Sequence, residues 1–380
     1  MLLSFRRRHQ SPASPPQITG RRTYHAVWVL RLVVILLFAG AVFAPPAGAQ
    51  ARSALISTAD WDAYRARFVD SSGRVVDDAN GGISHSEGQG YGLLLAFLAG
   101  DRATFERIWA FTRTELLIRD DGLAAWRWDP KATPHVTDIN VASDGDILIA
   151  YALASAGKAW GEPGYEKLAA RMARALGREA IRREGGRLVL LPGVTGFSVS
   201  ERKDGPILNL SYWIFEAFPT LAPLAPEVDW TGLAASGQDL ISHASLGPAR
   251  LPPDWISAPT AGSLTPAAGF EPVFGYNSLR IILYELRAGI KDTELQRNLR
   301  NNWVVENGGI PTMVNIPTGK TIARLPEPGY RMLAATLACA LDGTVIPPDL
   351  RRLEPTYYYP STLHLLSLSL VREKYPKCLS

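Results

Sequence analysis

The chain has 380 residues, 47% of them hydrophobic and 20% charged, with 10 tryptophans beside 13 tyrosines and 12 phenylalanines. That composition excludes wholesale disorder and leaves room for one large domain or two modest ones. The formal charge of +4 gives little support to nucleic-acid binding, because six arginines and no acid lie in residues 1–49 and the remainder carries −2.

Taken in chain order, residues 1–49 read as an export signal that is expected to be cleaved. An arginine-rich stretch precedes "LVVILLFAGAVFA" (32–44), which is apolar but short for a bilayer span. Ala47-Gly48-Ala49 fits the small-residue cleavage pattern, with cutting after Ala49. The pair Arg21-Arg22 offers a twin-arginine route. An uncleaved anchor starting near Trp28 is the alternative. Cleavage would leave residues 50–380 as a single domain, periplasmic or secreted, touching the membrane only through the signal.

Residues 50–380 then read as a succession of helices. Apolar positions recur at three- and four-residue steps over 88–99, 102–118, 145–157 and 163–180. The same pattern returns over 211–222, 232–245, 277–288, 292–303, 329–341 and 361–373. Gly100, Gly157 and Gly289 are placed to close three of these helices. "GRLVLLPG" (186–193) and "GIPTMVNIPTG" (309–319) read as hairpins on loops. Runs such as 88–99 and 145–157 are apolar all round, and their successors carry charge on one face. Buried and half-buried helices in alternation predict an all-α, double-layered helical barrel with an inner and an outer ring. A plain helical array stays open, although no motif repeats at a fixed period.

Two segments concentrate candidate chemistry. In "SHSEGQGYG" (84–92), Glu87 sits among glycines, hydroxyls and an amide just before an apolar helix. A helix N-terminus favours its ionised form and apolar surroundings oppose it; an ordinary helix-start acid looks the same. In "DINVASDGDILIAYAL" (138–153), Asp138, Asp144 and Asp146 surround a helix start. Ser143 or Asp144 is expected to cap it, and Asp146 reads as helix-start electrostatics. Trp126 and Trp128, in "AAWRWDP", are spaced to face sugar rings or to pack in the core. Cys339 reads as a buried thiol and Cys378 as a loose terminal one, with a disulfide between them as the alternative. No metal-ligand cluster is visible, and neither a metal nor another cofactor is expected.

"SEGQGYGLLLA" and "ASDGDILIAYAL" together resemble the hallmark segments of glycoside hydrolase family 8. The resemblance is closest to bacterial endo-β-1,4-glucanases of the rhizobial and cellulose-synthesis-associated type. It runs from about Trp61 to about Leu370, with "LNLSYW", "FGYNSLRI" and "YYPSTLHLLSLSL" in the family order. It implies an (α/α)6 barrel and inverting hydrolysis of a β-1,4-linked polysaccharide without metal. Glu87 matches the proton donor. Asp144 matches the signature aspartate that binds the sugar at the cleavage point and also bears a nucleophile label. Tyr212 matches a tyrosine that holds the attacking water, and Arg280 an arginine beside the base segment. A monomer is expected, and a functional link to cellulose synthase is a further implication.

One position departs from the pattern. Many family members carry an aspartate, the general base, where this chain has Asn277. An amide has no basic form at neutral pH, so Asn277 can position a water but cannot deprotonate it. The base is therefore sought among Glu271, Asp204 and Asp254, each with a solvated loop acid as the bland alternative. Two other functions stay open: the same fold acting on xylan, chitosan or mixed-linkage glucan, and a catalytically impaired glucan-binding protein.

Overall fold

Residues 54–380 are described by a computed structural model of the chain; the segment read as an export signal, 1–49, lies outside them. The described residues form α1 (Thr58–Phe68), α2 (Ser86–Ala99), α3 (Arg102–Phe111), α4 (Ser143–Trp160), α5 (Pro163–Glu179), α6 (Phe218–Leu221), α7 (Trp230–His243), α8 (Ile281–Ala288), α9 (Glu294–Leu299), α10 (Pro328–Asp342) and α11 (Tyr358–Lys374). None is long and apolar enough to cross a membrane.

The most apolar helices form the inner layer. α2 packs on α4, α4 on the segment Leu210–Leu221 that ends in α6, and that segment on α8. α8 meets α10, α10 meets α11, and α11 returns to α2, which closes a ring of six. Burial explains the choice: every residue of α4 from Ser143 to Ala150 and every residue of α11 from Pro360 to Val371 is buried. A helix buried on all sides has no polar face to lose to water. α3, α5 and α7 bury one face each and pack outside α2, α4 and α6. This is the expected (α/α)6 barrel.

The inner helices present their N-terminal ends to one rim. Gly90 of α2 and Gly145 of α4 let their backbones approach closely. A Cβ on Gly90 would lie 2.5 Å from Leu148 Cβ. A Cβ on Gly329 at the start of α10 would strike the carbonyl of Pro360 in the first turn of α11. Tyr359 of α11 donates its hydroxyl hydrogen to the Tyr276 carbonyl, five residues before α8, at 2.6 Å. Short strand pairs brace the loops above this rim. Ile207–Leu208, Ile256–Ser257 and Thr265–Pro266 form one small antiparallel sheet; Val273–Phe274, Thr312–Asn315 and Thr321–Arg324 form another.

Several sequence expectations change. The helix read over 211–222 is a 3-10 turn at Leu210–Tyr212 followed by the four-residue α6. Pro219 and Pro223 deprive a longer helix of two backbone donors. The helix read over 102–118 turns into a π-helical stretch at Thr112–Leu116, and the one read over 292–303 does so at Arg300–Glu306. Gly157 does not end α4, which runs on to Trp160 with Gly161 in the left-handed cap. α1 went unread, although Ser57 caps it through the Asp60 amide. The hairpin read at 186–193 pairs Ile181–Glu184 with Arg187–Leu190. The strand in 309–319 pairs outward with Thr321–Arg324. Cys339 and Cys378 are joined in a disulfide, with Cα atoms 6.0 Å apart.

Candidate active site

Glu87 lies in the first turn of α2, and His85 caps that helix by accepting the Gly88 amide at its Nδ1, 3.0 Å away. An Nδ1 that accepts leaves the proton on Nε2, which faces Asp77 Oδ2 at 3.3 Å. Asp144 lies in the first turn of the neighbouring α4 and is 1% exposed. The expected cap by Ser143 or Asp144 is absent: Ala142 is the N-cap. Ser143 instead donates its hydroxyl to the Leu191 carbonyl, and Asp144 accepts the Gly145 amide. Asp146 is not the charged helix-start acid read from the sequence. It is fully buried and accepts only the Ala124 amide, and burial pushes its pKa up, which disfavours the charged form.

Arg280 joins the two carboxylates. Its guanidinium is 2% exposed. Nη1 donates to Glu87 Oε2, Nη2 to Asp144 Oδ2 at 2.6 Å, and Nε to Ser211 Oγ at 3.1 Å. Ser211 passes its own proton to Asn209 Oδ1 at 2.7 Å. Tyr212 follows in the same turn, with the Arg280 guanidinium 5.6 Å from its ring centroid. Burial, opposed by Arg280 and aided by Asp144, holds the Tyr212 phenol far above its ordinary pKa, so it keeps its proton.

Three ionisable side chains share one small volume. Burial pushes Asp144 up, Arg280 pulls it back, and Glu87 adds to the rise, which leaves it at about 7. Burial also penalises the Glu87 carboxylate, but Arg280 and His85 outweigh that and hold it low. The two acids hydrogen-bond to each other and titrate as a pair holding one proton. With that proton the cluster is neutral: one guanidinium against one net negative charge.

The remaining candidates divide. Asp254 lies beside Asn277: it accepts the amides of Gly275 and Ser278, each at 2.9 Å, and faces the Asn277 amide group. Asp204 is spent on its own loop, accepting the Ala268 amide at 2.8 Å and pairing with Arg202. Glu271 is exposed. Trp126 is half-buried beside the cleft, with its carbonyl accepting the Ser86 amide and its indole donating to Asp138. Trp128 packs against His135, with ring centroids 4.2 Å apart, and against the Arg74 guanidinium; its indole donates to Glu115. Sequence reasoning passed over His85, Asn209 and Ser211. It also passed over Tyr276, Tyr330 and Tyr359, whose ring centroids lie 6.0 to 6.4 Å apart at the rim, with Tyr276 48% exposed. The available signal was the run "EPTYYYPS" just before the last inner helix.

Two carboxylates clamped by one arginine, at the aromatic rim of an (α/α)6 barrel, fit a glycoside hydrolase. The chain belongs to glycosyl hydrolases family 8, whose model matches residues 40–373. It is 36% identical to a probable endoglucanase of Novacetimonas hansenii over 345 residues, 87% of this chain and 98% of that one. It is similar to the endoglucanase Cel10 of Klebsiella pneumoniae, a family 8 glycosyl hydrolase, with a TM-score of 0.76, 31% identity and 83% and 99% of the two chains covered. The endo-β-1,4-glucanase CMCax of Acetobacter xylinum superposes with a TM-score of 0.73 at 35% identity, covering 83% and 97%.

Proposed function

We propose that this chain is an inverting endo-β-1,4-glucanase in which Glu87 protonates the leaving glycosidic oxygen. The observation that carries the reading is the Arg280 clamp, which fixes Glu87 and Asp144 side by side. Glu87 is the more exposed member, at 17% of its side chain against 1% for Asp144, so it is the one that a sugar reaches. Asp144 keeps the shared proton until a substrate dries the cleft, then returns it to Glu87 through their hydrogen bond. The sugar at the cleavage point lies over this pair, within reach of Asp144 and of the Tyr212 hydroxyl, and Tyr276 offers an open ring face to its neighbour. General acid catalysis of this kind contributes about 10²–10⁴ in rate.

The test is reducing-end release from carboxymethylcellulose, with proton NMR of the first-formed anomer from cellohexaose. Glu87→Gln should lose at least about a hundredfold in kcat, and the first product should be the α-anomer. Unchanged turnover in Glu87→Gln would sink the assignment. Chitosan, xylan and mixed-linkage glucan belong in the same panel.

The protein is exported in this reading, which the arginine-rich leader with its Ala47-Gly48-Ala49 cleavage pattern supports, as does a disulfide suited to an oxidising compartment. A single chain supplies every residue proposed for the site. Where the cell makes cellulose, it acts beside the synthase on the emerging polymer.

A further inference from the structure

Inversion needs a base on the face of the sugar opposite Glu87, and Asn277 cannot supply it. This inference rests on the endoglucanase reading and completes it. We infer that Asp254 is the general base, taking the proton of a water held at Asn277 and Tyr212.

Two connections place Asp254 at the site. The first runs through the 3-10 turn Ser278–Arg280. Arg280, at its end, holds Glu87 and Asp144; Asn277, at its start, is half-buried at the rim. Asp254 sits directly behind that start. The amides of Gly275 and Ser278 both donate to Oδ1, each at 2.9 Å. Oδ2 receives only the Asn277 amide at 3.4 Å and Asn277 Nδ2 at 3.5 Å, the far limit of a hydrogen bond. One oxygen is therefore fixed by backbone donors, and the other keeps lone-pair capacity on the side of Asn277.

The second connection is Trp255. Its ring meets Tyr212 edge-on, with centroids 6.3 Å apart, and stacks on Phe270 at 4.6 Å and Phe197 at 5.9 Å. Asp254 is thereby tied to the turn of Tyr212 on one side and to that of Asn277 on the other. Its amide donates to the Val273 carbonyl at 2.7 Å, and it is 7% exposed. Glu271 and Asp204 have neither connection.

The step balances without a further reactant. The water oxygen bonds to the anomeric carbon as the bond to the leaving oxygen breaks. The leaving oxygen takes the proton of the Glu87 and Asp144 pair. The water's proton passes to Asp254 Oδ2, and exchange with solvent resets both ends.

The experiment uses cellohexaose, with wild-type hydrolysis established first; an inactive wild type would refute the parent reading. Asp254→Asn should lower kcat by about 10²–10⁴ with a much smaller change in KM. Sodium azide should restore at least tenfold of the rate lost in Asp254→Ala and yield an α-glycosyl azide, because azide attacks without a base. If Asp254→Ala misfolds by circular dichroism, the double variant Asp254→Asn/Asn277→Asp carries the test. A carboxylate returned at 277 should raise kcat at least tenfold over Asp254→Asn. An Asp254→Asn variant with more than a tenth of wild-type kcat overturns the inference. A loss that neither azide nor the second-site carboxylate repairs also overturns it, and would leave Asp254 as a brace for the 275–278 turn.

Discussion

Gly145 lies against Glu87 with no room for a side chain between them. A Cβ on Gly145 would sit 2.6 Å from the Glu87 amide nitrogen and 2.2 Å from Ser86 Oγ. The glycine between the two aspartates of "SDGD" therefore sets the spacing of α2 and α4, and with it the distance between the acids. Gly145→Ala should force the helix starts apart at a cost of about 1–3 kcal/mol. The expected result is a melting temperature lowered by several degrees, together with a fall in kcat. A variant with lower stability and full activity would show that the acid spacing tolerates the shift.

The shared proton sets the alkaline side of the pH profile. Asp144 holds it up to about pH 7, so above that value the pair loses its acid. The rate should fall about tenfold per pH unit once the limb is established. In Asp144→Asn, Glu87 titrates alone beside Arg280, whose charge holds it down. The limb should therefore move to lower pH, and kcat at pH 7 should drop at least about a hundredfold. Profiles of kcat on a soluble cellooligosaccharide, wild type against variant, read both effects.

Arg280 should be intolerant of its usual replacement. Lysine keeps the charge but is a point donor, and it cannot span Glu87, Asp144 and Ser211 at once. Arg280→Lys should fold and lose most activity. Arg280→Ala leaves two buried carboxylates without a counterion, which costs about 3–5 kcal/mol and moves the alkaline limb upward because the pair binds its proton more tightly. Urea melts and pH profiles test the two halves of this expectation.

The disulfide should act on stability alone. Cys339 and Cys378 are separated by 39 residues, and closing a loop of that size removes chain entropy worth about 4 kcal/mol. Reduction, or the Cys339→Ser/Cys378→Ser pair, should lower the melting temperature by several degrees. KM and kcat at 25 °C should stay at wild-type values.

Glu87 and Asp144 were legible because each lies in a short glycine-rich segment at a helix start, a local signal. The two layers were partly legible too, since runs such as 88–99 and 145–157 carry no polar face. What joins the acids was not: Arg280 lies 193 residues from Glu87 and 136 from Asp144, and no local pattern records such pairings. Asp254 was one loop acid among three, because its contacts at Asn277 and Ser278 are 23 and 24 residues away and run largely to backbone amides. The helix read at 211–222 failed for the opposite reason. Its apolar spacing is helical, but its prolines are not. The three rim tyrosines escaped notice because their value comes from meeting in space, Tyr276 and Tyr359 being 83 residues apart.

The closure of the inner ring has a consequence for how the molecule is made. Beside that closure, α11 is stitched to α1, which packs on α2, by Tyr64 with Thr362, 298 residues apart, and by Arg372 with Asp60, 312 apart. Contacts of that range form late and slowly. A nascent chain that has reached Arg351 already carries Glu87, Asp144, Tyr212, Asp254 and Arg280. It still lacks the last stave, so the hoop that holds Arg280 against the two acids stays open. The final helix, which carries none of the charged groups of the site, is in this sense the latch that switches the enzyme on.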